Sequence, residues 1–345
     1  MRTARLLQIV AISAFLAFLI AARSQIIIDS GPHSGLFPVN VKGKWGYINR
    51  QGMLVIPPRF DDAHGFSDEL AGVEVDKKWG YINETGNFAI EPRFVEVDGW
   101  SFNDGLAAVI VDRKCGFVDH TGRVAIDFQF DAPAYFSGGL AYVQKQHRAG
   151  YIDKTGRFVV DWAWDRGRGR PFSESLAAVE WNGNWGYIDT AGRFVIARSF
   201  EDAGSFSEGL APVEKGGLWG YVDKQGKVVI PFQFDQAENF HDGLAMVRKK
   251  KGPWSFIDTA GKQAISGAFE IVRGFSDGLA LVRIDGKSGY IDVHGQIAIQ
   301  PLFDAARPFF DGLASVKIQD RWYYIDQTSR VVWSDGYASA ATAQH

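Results

Sequence analysis

Residues 209–240 read Gly-Leu-Ala-Pro-Val, Glu-Lys-Gly-Gly-Leu, Trp-Gly-Tyr-Val-Asp-Lys-Gln-Gly-Lys-Val-Val-Ile-Pro and Phe-Gln-Phe-Asp-Gln-Ala-Glu-Asn-Phe. Three short β-rich runs alternate with turn chemistry. The first is Leu-Ala-x-Val. The second, Trp219 to Asp223, enters an Asp-x-x-Gly turn, where Asp223 can accept backbone N–H bonds and Gly226 can adopt the left-handed conformation that closes a bulged hairpin. In that run Trp, Tyr and Asp share one face, so Gly220 is expected where a neighbouring backbone or ring approaches too closely for a side chain. The third run ends at Pro231, which cannot donate a ladder bond and predicts a strand that stops or lies at a sheet edge. A connector carrying Phe234 and Phe240 leads to the next Gly-Leu-Ala.

Outward from this copy, the dipeptide position recurs nine times: Trp45-Gly46, Trp79-Gly80, Cys115-Gly116, Ala149-Gly150, Trp185-Gly186, Trp219-Gly220, Trp254-Ser255, Ser288-Gly289 and Trp322-Tyr323, in steps of 34 to 36 residues. Such regularity marks one structural unit copied in tandem. A lone three-stranded meander cannot bury its apolar face, so copies must lean on one another, with the connector rings between them. The expected fold is all-β, nine three-stranded antiparallel meanders in one array. An open twisted solenoid is favoured over a closed propeller-like ring, because about 34 residues is short beside the roughly 40 to 45 of a four-stranded blade, and nine copies exceed the usual range of roughly four to eight blades.

Composition narrows the class. Hydrophobic residues make up 46%, charged ones 22%, and 39 glycines accompany 14% aromatics, which suits short strands joined by tight turns. The net charge of -3 is spread without a basic stripe, which argues against nucleic acid. Residues 1–24 place Arg2 and Arg5 before an apolar run from Leu6 to Ala22 and end in small residues, the order of a secretory signal peptide. An uncleaved anchor is the alternative, and no other membrane association is expected. Residues 25–34 form a short lead, 35–333 the array and 334–345 a tail. The single cysteine, Cys115, stands in an aromatic slot and is expected to be a small buried hydrophobe without a disulfide partner.

The compound pattern Gly-Leu-Ala-x-Val, Lys-x-Trp-Gly-Tyr-Ile-Asp-x-x-Gly and Val-Ile-x-Pro-x-Phe-Asp resembles the WG-repeat, or KWG-repeat, family of bacterial proteins from Gly35 to about Trp333. The resemblance implies a tandem β-rich module, often exported, that binds rather than catalyses. It assigns structural roles to Trp45, Gly46, Trp79, Gly80, Trp185, Gly186, Trp219, Gly220, Trp254 and Trp322, and brings neither catalytic residues nor a cofactor. Ring losses at Cys115, Ala149 and Ser288 argue against one ligand site per repeat.

Two connectors are two residues longer than the rest, Phe94 to Phe102 and Trp164 to Phe172. Loops on one side of a repeat scaffold are where binding is commonly done, so Asp98 and Trp100 in the first and Arg166, Arg168 and Arg170 in the second are the candidate binding residues. No nucleophile elbow, zinc helix, paired Cys-x-x-Cys or phosphate loop is present. Acidic residues recur once per connector, among them Asp61, Asp131, Asp165, Glu201, Asp235, Glu270 and Asp304, and are expected to serve turns rather than a metal. The sequence points to a non-enzymatic exported scaffold with a protein partner. The alternative is envelope glycan binding on exposed Trp and Tyr faces, which burial of those rings would remove.

Overall fold

The computed structural model describes residues 35–97, 102–132, 134–146, 148–162, 167–250, 252–267 and 269–334. The signal segment, the lead and most of the tail lie outside them. Within them the chain begins with β1 (Leu36–Val41), β2 (Lys44–Asn49), β3 (Leu54–Phe60), β4 (Asp62–Ser67), β5 (Leu70–Val75), β6 (Lys78–Asn83) and β7 (Phe88–Phe94), and the pattern of β4 to β7 repeats to Ser334.

The local structure follows from the turns. β1 and β2 are joined by Lys42-Gly43, both at positive φ, and Asp76-Lys77 and Asn182-Gly183 do the same in later copies, the two-residue geometry whose twist matches the flanking strands. The Asp-x-x-Gly turns close as expected: the Asp223 carboxylate accepts the Gln225 and Lys227 N–H groups at 3.0 and 2.9 Å, with Gly226 at φ +78°. β3 continues past Pro57 as the sheet edge. A bulge between the Trp45 and Tyr47 pairings folds its backbone over Gly46, where a Cβ would lie 2.4 Å from the Ile56 oxygen.

The connector is itself a strand. β4 pairs antiparallel with β5, so the second sheet runs β4-β5-β6-β7, and eight of the nine sheets among the described residues have four strands rather than the three expected from sequence. This is why 34 residues suffice for a blade: two of its hairpins spend two residues each and the third four, and only Asp61 separates β3 from β4.

The nine sheets stand in a ring, a nine-bladed β-propeller, and the open solenoid is overturned. Blade 1 (β1 to β3) packs directly on blade 9, whose strands end at Val331–Ser334: Phe37, Val39 and Ile48 share a core with Leu313, Val332 and Trp333. The Tyr324 hydroxyl donates to the Pro38 carbonyl at 3.0 Å, and Arg50 pairs with Asp311. Head-to-tail contacts close whenever their rotations sum to a full turn, which nine steps of about 40° achieve.

Each joint between consecutive blades is built alike. A ring from the Trp-Gly strand of one blade, tyrosine or phenylalanine, packs on a phenylalanine from the next connector, as Tyr47 on Phe66 or Tyr221 on Phe240, with centroids 4.7 to 5.0 Å apart in eight joints. Where the ring is Tyr47, Tyr151, Tyr187, Tyr221 or Tyr290, its hydroxyl also donates to a connector carbonyl, 2.6 to 2.8 Å away. The core therefore lies between blades, and the apolar faces that one meander leaves bare are covered by the next.

Candidate functional site

One joint departs from this scheme, the seam between blades 9 and 1. In the regular joints a connector residue links both sides. Arg307, for example, accepts the Tyr290 hydroxyl through its carbonyl and donates its N–H to the Ser315 carbonyl of its own blade at 2.9 Å. At the seam Tyr324 bonds Pro38, the counterpart of Ser315, with no linking residue between. Its ring meets Phe37 at 5.8 Å, and Phe37 fills a slot that is alanine in every other blade: Ala71, Ala107, Ala141, Ala177, Ala211, Ala245, Ala280 and Ala314.

A cleft of about 840 Å³ opens beside β1. Trp45, Trp322, Tyr324 and Trp333 form its aromatic walls, and Lys42, Asn40, His64, Arg307 and Ser315 its polar lining. Apolar walls with a few placed polar groups are the usual make-up of a binding cleft. Lys42 and Arg307 are cationic, and among the described residues no carboxylate lines the cleft. Burial raises the Tyr324 hydroxyl to about 12, with Arg307 pulling the other way, so it is a neutral donor at physiological pH. Beside Asp311, the partner of Arg50, stands Phe310 of blade 9, 71% exposed, where blades 2, 4, 5, 6 and 8 carry Ser67, Ser137, Ser173, Ser207 and Ser276. Those five hydroxyls donate to the next connector's phenylalanine carbonyl at 2.6 to 2.7 Å.

The residues singled out from sequence fall elsewhere. Asp98, Trp100 and Arg166 lie outside the described residues. Arg168 is exposed on Gly167–Gly169, 3.5 Å from the Glu180 carboxylate. Arg170 sits between blades: its guanidinium lies 5.1 Å from the Trp185 ring centre and 3.2 Å from Asp202. Its carbonyl accepts the Tyr151 hydroxyl. Arg168 and Arg170 thus share a connector but not a common pocket.

The repeat tryptophans act as platforms for the protein's own side chains. His64 stacks on Trp79 at 4.5 Å, while Arg307 lies 5.5 Å over Trp322 and Arg248 5.9 Å over Trp254, cation–π geometry in both arginine cases. Trp185 is buried; Trp45, Trp79, Trp219, Trp254 and Trp322 are half-buried. The tyrosines Tyr47, Tyr81, Tyr151, Tyr187, Tyr221 and Tyr290 are fully buried. Gly80, Gly186 and Gly220 repeat the close approach seen at Gly46, with Cβ positions 2.5 to 2.7 Å from a backbone oxygen.

The connector acids accept hydrogen bonds from a hairpin of their own blade. Glu201 takes the Gly216 and Gly217 N–H groups at 2.9 Å each; Asp304 takes the Gln319 N–H and pairs with Lys287. Among the described residues no three His, Cys, Asp or Glu side chains converge as a metal-binding set. Cys115 is buried.

With this geometry in hand, the comparisons fall into place. The family model described as WG containing repeat matches residues 45–79, 79–115, 116–146, 150–185, 185–219, 219–252, 254–287 and 289–322. The chain belongs to the WG-repeat family. No curated protein matches its sequence. Among solved structures, a eukaryotic initiation factor is similar in fold at 14% identity and a TM-score of 0.56, over 78% of this chain and 84% of that one. The computationally designed Ika8 protein matches at 15% identity and TM-score 0.49, over 74% and 92% of the two chains. BamB from Moraxella catarrhalis matches at 13% and 0.48, over 85% and 98%. The family model begins at Trp45 and stops at Trp322, so the seam of this WG-repeat ring is built from the margins of the repeat array.

Phe37, Phe310, Arg307 and Tyr324 were not singled out from sequence. The signal was present for two of them: aligned on the Trp-Gly position, Phe37 is the one non-alanine in its column, and Phe310 the one phenylalanine among mostly serines.

Proposed function

We propose that this WG-repeat propeller is a non-enzymatic scaffold, exported through its N-terminal segment to the bacterial envelope or beyond, that takes a protein partner at the seam. One observation carries the reading: among the described residues the seam combines an aromatic and basic cleft with a phenylalanine left in solvent where five other blades donate a serine hydroxyl to their neighbour. Exposed aromatic anchors beside a groove, with arginine at hand, are the composition of binding hot spots. Glycan stacking along the array loses support, because the tyrosines are buried and Trp79, Trp185, Trp254 and Trp322 are covered by His64, Arg170, Arg248 and Arg307.

The test compares the full chain with Phe310→Ser, Arg307→Glu and, as a control at another exposed aromatic, Phe194→Ser in quantitative pull-downs from envelope extract. A partner retained by the parent and Phe194→Ser but lost from both seam variants supports the proposal. Equal retention by all four proteins, or retention of glycans alone on an array, refutes it.

A further inference from the structure

Around the ring, one column of residues changes sign. The residue paired with the Trp position is Glu74 in blade 2, Glu180 in blade 5 and Glu214 in blade 6, but Arg248, Arg283 and Lys317 in blades 7, 8 and 9. Blades 1, 3 and 4 carry the uncharged Asn40, Ile110 and Gln144 there. The three cations stand 35 and 34 residues apart in the chain, so no basic stripe shows in the sequence, and the stacking of consecutive blades sets them side by side. A second column agrees. Arg273 and Arg307 occupy equivalent positions on the connectors of blades 8 and 9, where blades 6 and 7 have Gly204 and Glu238. The hairpin of blade 7 adds Lys249 and Lys250, both exposed.

The first column and these lysines lie toward the hairpins that join the Leu-Ala-x-Val and Trp-Gly strands, on one side of the ring, while the Asp-x-x-Gly turns lie on the other. Carboxylates are interleaved with the cations: Arg283 is 3.7 Å from Glu270, Lys317 is 2.9 Å from Asp320, and Lys287 pairs with Asp304. Those acids repel a polymer charged at every unit, such as a phosphate backbone, whereas spaced carboxylates can exchange into exposed pairs that hold only weakly. A lipid surface finds no apolar anchor here. Among the described residues, the exposed large hydrophobics of blades 7 to 9 are Val293, Ile297 and Phe310, all toward the opposite side.

We propose that the protein partner taken at the seam presents an extended acidic segment, and that the cationic sector of blades 7 to 9 is its docking track, leading to Arg307 and Lys42 in the cleft. Packed sheets stand about 10 Å apart and an extended chain rises about 3.3 Å per residue, so carboxylates at about every third residue meet Arg248, Arg283 and Lys317 in turn. Glutamates of the same column bound the track on both flanks, Glu214 in blade 6 and Glu74 in blade 2. Like charge there turns the segment away and fixes its course.

This inference rests on reading the seam as a protein-binding site, and the experiment separates the two. The probe is the labelled peptide acetyl-Gly-Glu-Ser-Thr-Glu-Ser-Thr-Glu-Gly-amide, titrated with the full chain and followed by fluorescence anisotropy. The parent is expected to bind it, more weakly as sodium chloride is raised. Arg283→Glu combined with Lys317→Glu, at unchanged Tm, should weaken binding about tenfold or more. Arg248→Glu alone should also weaken it, so a folding defect in one blade does not decide the result. The charge-preserving pair Arg283→Lys and Lys317→Arg should bind as the parent does, and Glu180→Gln with Glu214→Gln at least as well. A permuted peptide with its three glutamates adjacent should bind less tightly. No binding by the parent, equal binding of the permuted peptide, or tighter capture of phosphatidylglycerol vesicles or an oligothymidylate by the same cations overturns the proposal. An envelope partner kept by the Arg283→Glu, Lys317→Glu chain but lost from Phe310→Ser overturns the track and leaves the seam reading standing. A partner that ignores Phe310→Ser but is lost with Arg283 and Lys317 overturns the seam reading and leaves the track in place.

Discussion

Eight joints of the ring and the ninth are made from the same repeat yet hold differently. In a regular joint the chain passes from one blade to the next, so a ring pair, a hydroxyl and a glycine turn are all delivered by a continuous connector. The seam has no such passage among the described residues, and blade 9 meets blade 1 through Phe37, Tyr324, Arg50 and Asp311. The contrast teaches that a repeat sets the joint angle, while closing the ring requires residues that break the repeat.

The largest difference should appear at the turn glycines. Gly226 has φ +78°, and a Cβ there would lie 2.9 Å from the Ile196 methyl, a side chain that can give. Gly52 has φ +77°, but its Cβ would lie 1.8 Å from the Val332 carbonyl oxygen, which cannot move without shifting a blade-9 strand. Gly52→Ala is expected to cost about 4 kcal/mol or more and Gly226→Ala about 2 kcal/mol, read by urea unfolding. Equal costs would mean that the seam is no tighter than its neighbours. Next in size is Phe37→Ala, which restores the column's consensus yet should lose about 3 kcal/mol through the cavity it leaves. A neutral or stabilising outcome would show that Phe37 fills no space.

Much of this was legible in sequence because each turn announces itself locally. Asp223 and Gly226, or Trp219 and Gly220, need only neighbours within one hairpin to explain them, and the structure places them as read. The fourth strand was missed because Asp62–Ser67 pairs forward with the next unit, and a stretch such as Asp-Ala-His-Gly-Phe-Ser lacks a β alternation of its own. Closure was missed for a different reason. Whether nine joints sum to a full turn depends on small angles that no residue type encodes, and period length misled because it assumed longer loops. Of the candidate site, the inserted connectors drew attention by length, whereas Phe37 and Phe310 differ from their columns only in size.

Hydroxyl deletions should give smaller effects. Tyr221→Phe leaves the Glu238 carbonyl without its donor and should cost about 1 kcal/mol. Tyr324→Phe should cost the same or less, because the half-buried seam lets water reach the Pro38 carbonyl. A much larger loss at Tyr324, measured under the same denaturant conditions, would mean that this one bond holds the ring shut.

Acid should have the smallest effect, in a defined direction. Hydrogen bonds from Gly217 and Gly216 hold Glu201 below the ordinary glutamate range, and the Lys287 and Gln319 donors do the same for Asp304. A carboxylate whose folded pKa is depressed adds stability that is present above its unfolded value, about 4, and fades as the pH falls through the folded one. These groups are exposed, so solvent and salt weaken the effect. Glu214 opposes them. Burial, with Glu201 and Asp202 nearby, raises its pKa, so its contribution improves as the solution is acidified. Stability followed from pH 7 to pH 3 should decline below about pH 4. Glu201→Gln should flatten that decline and Glu214→Gln steepen it. Profiles of both variants that superpose on the parent's would show that these two carboxylates do not set the decline.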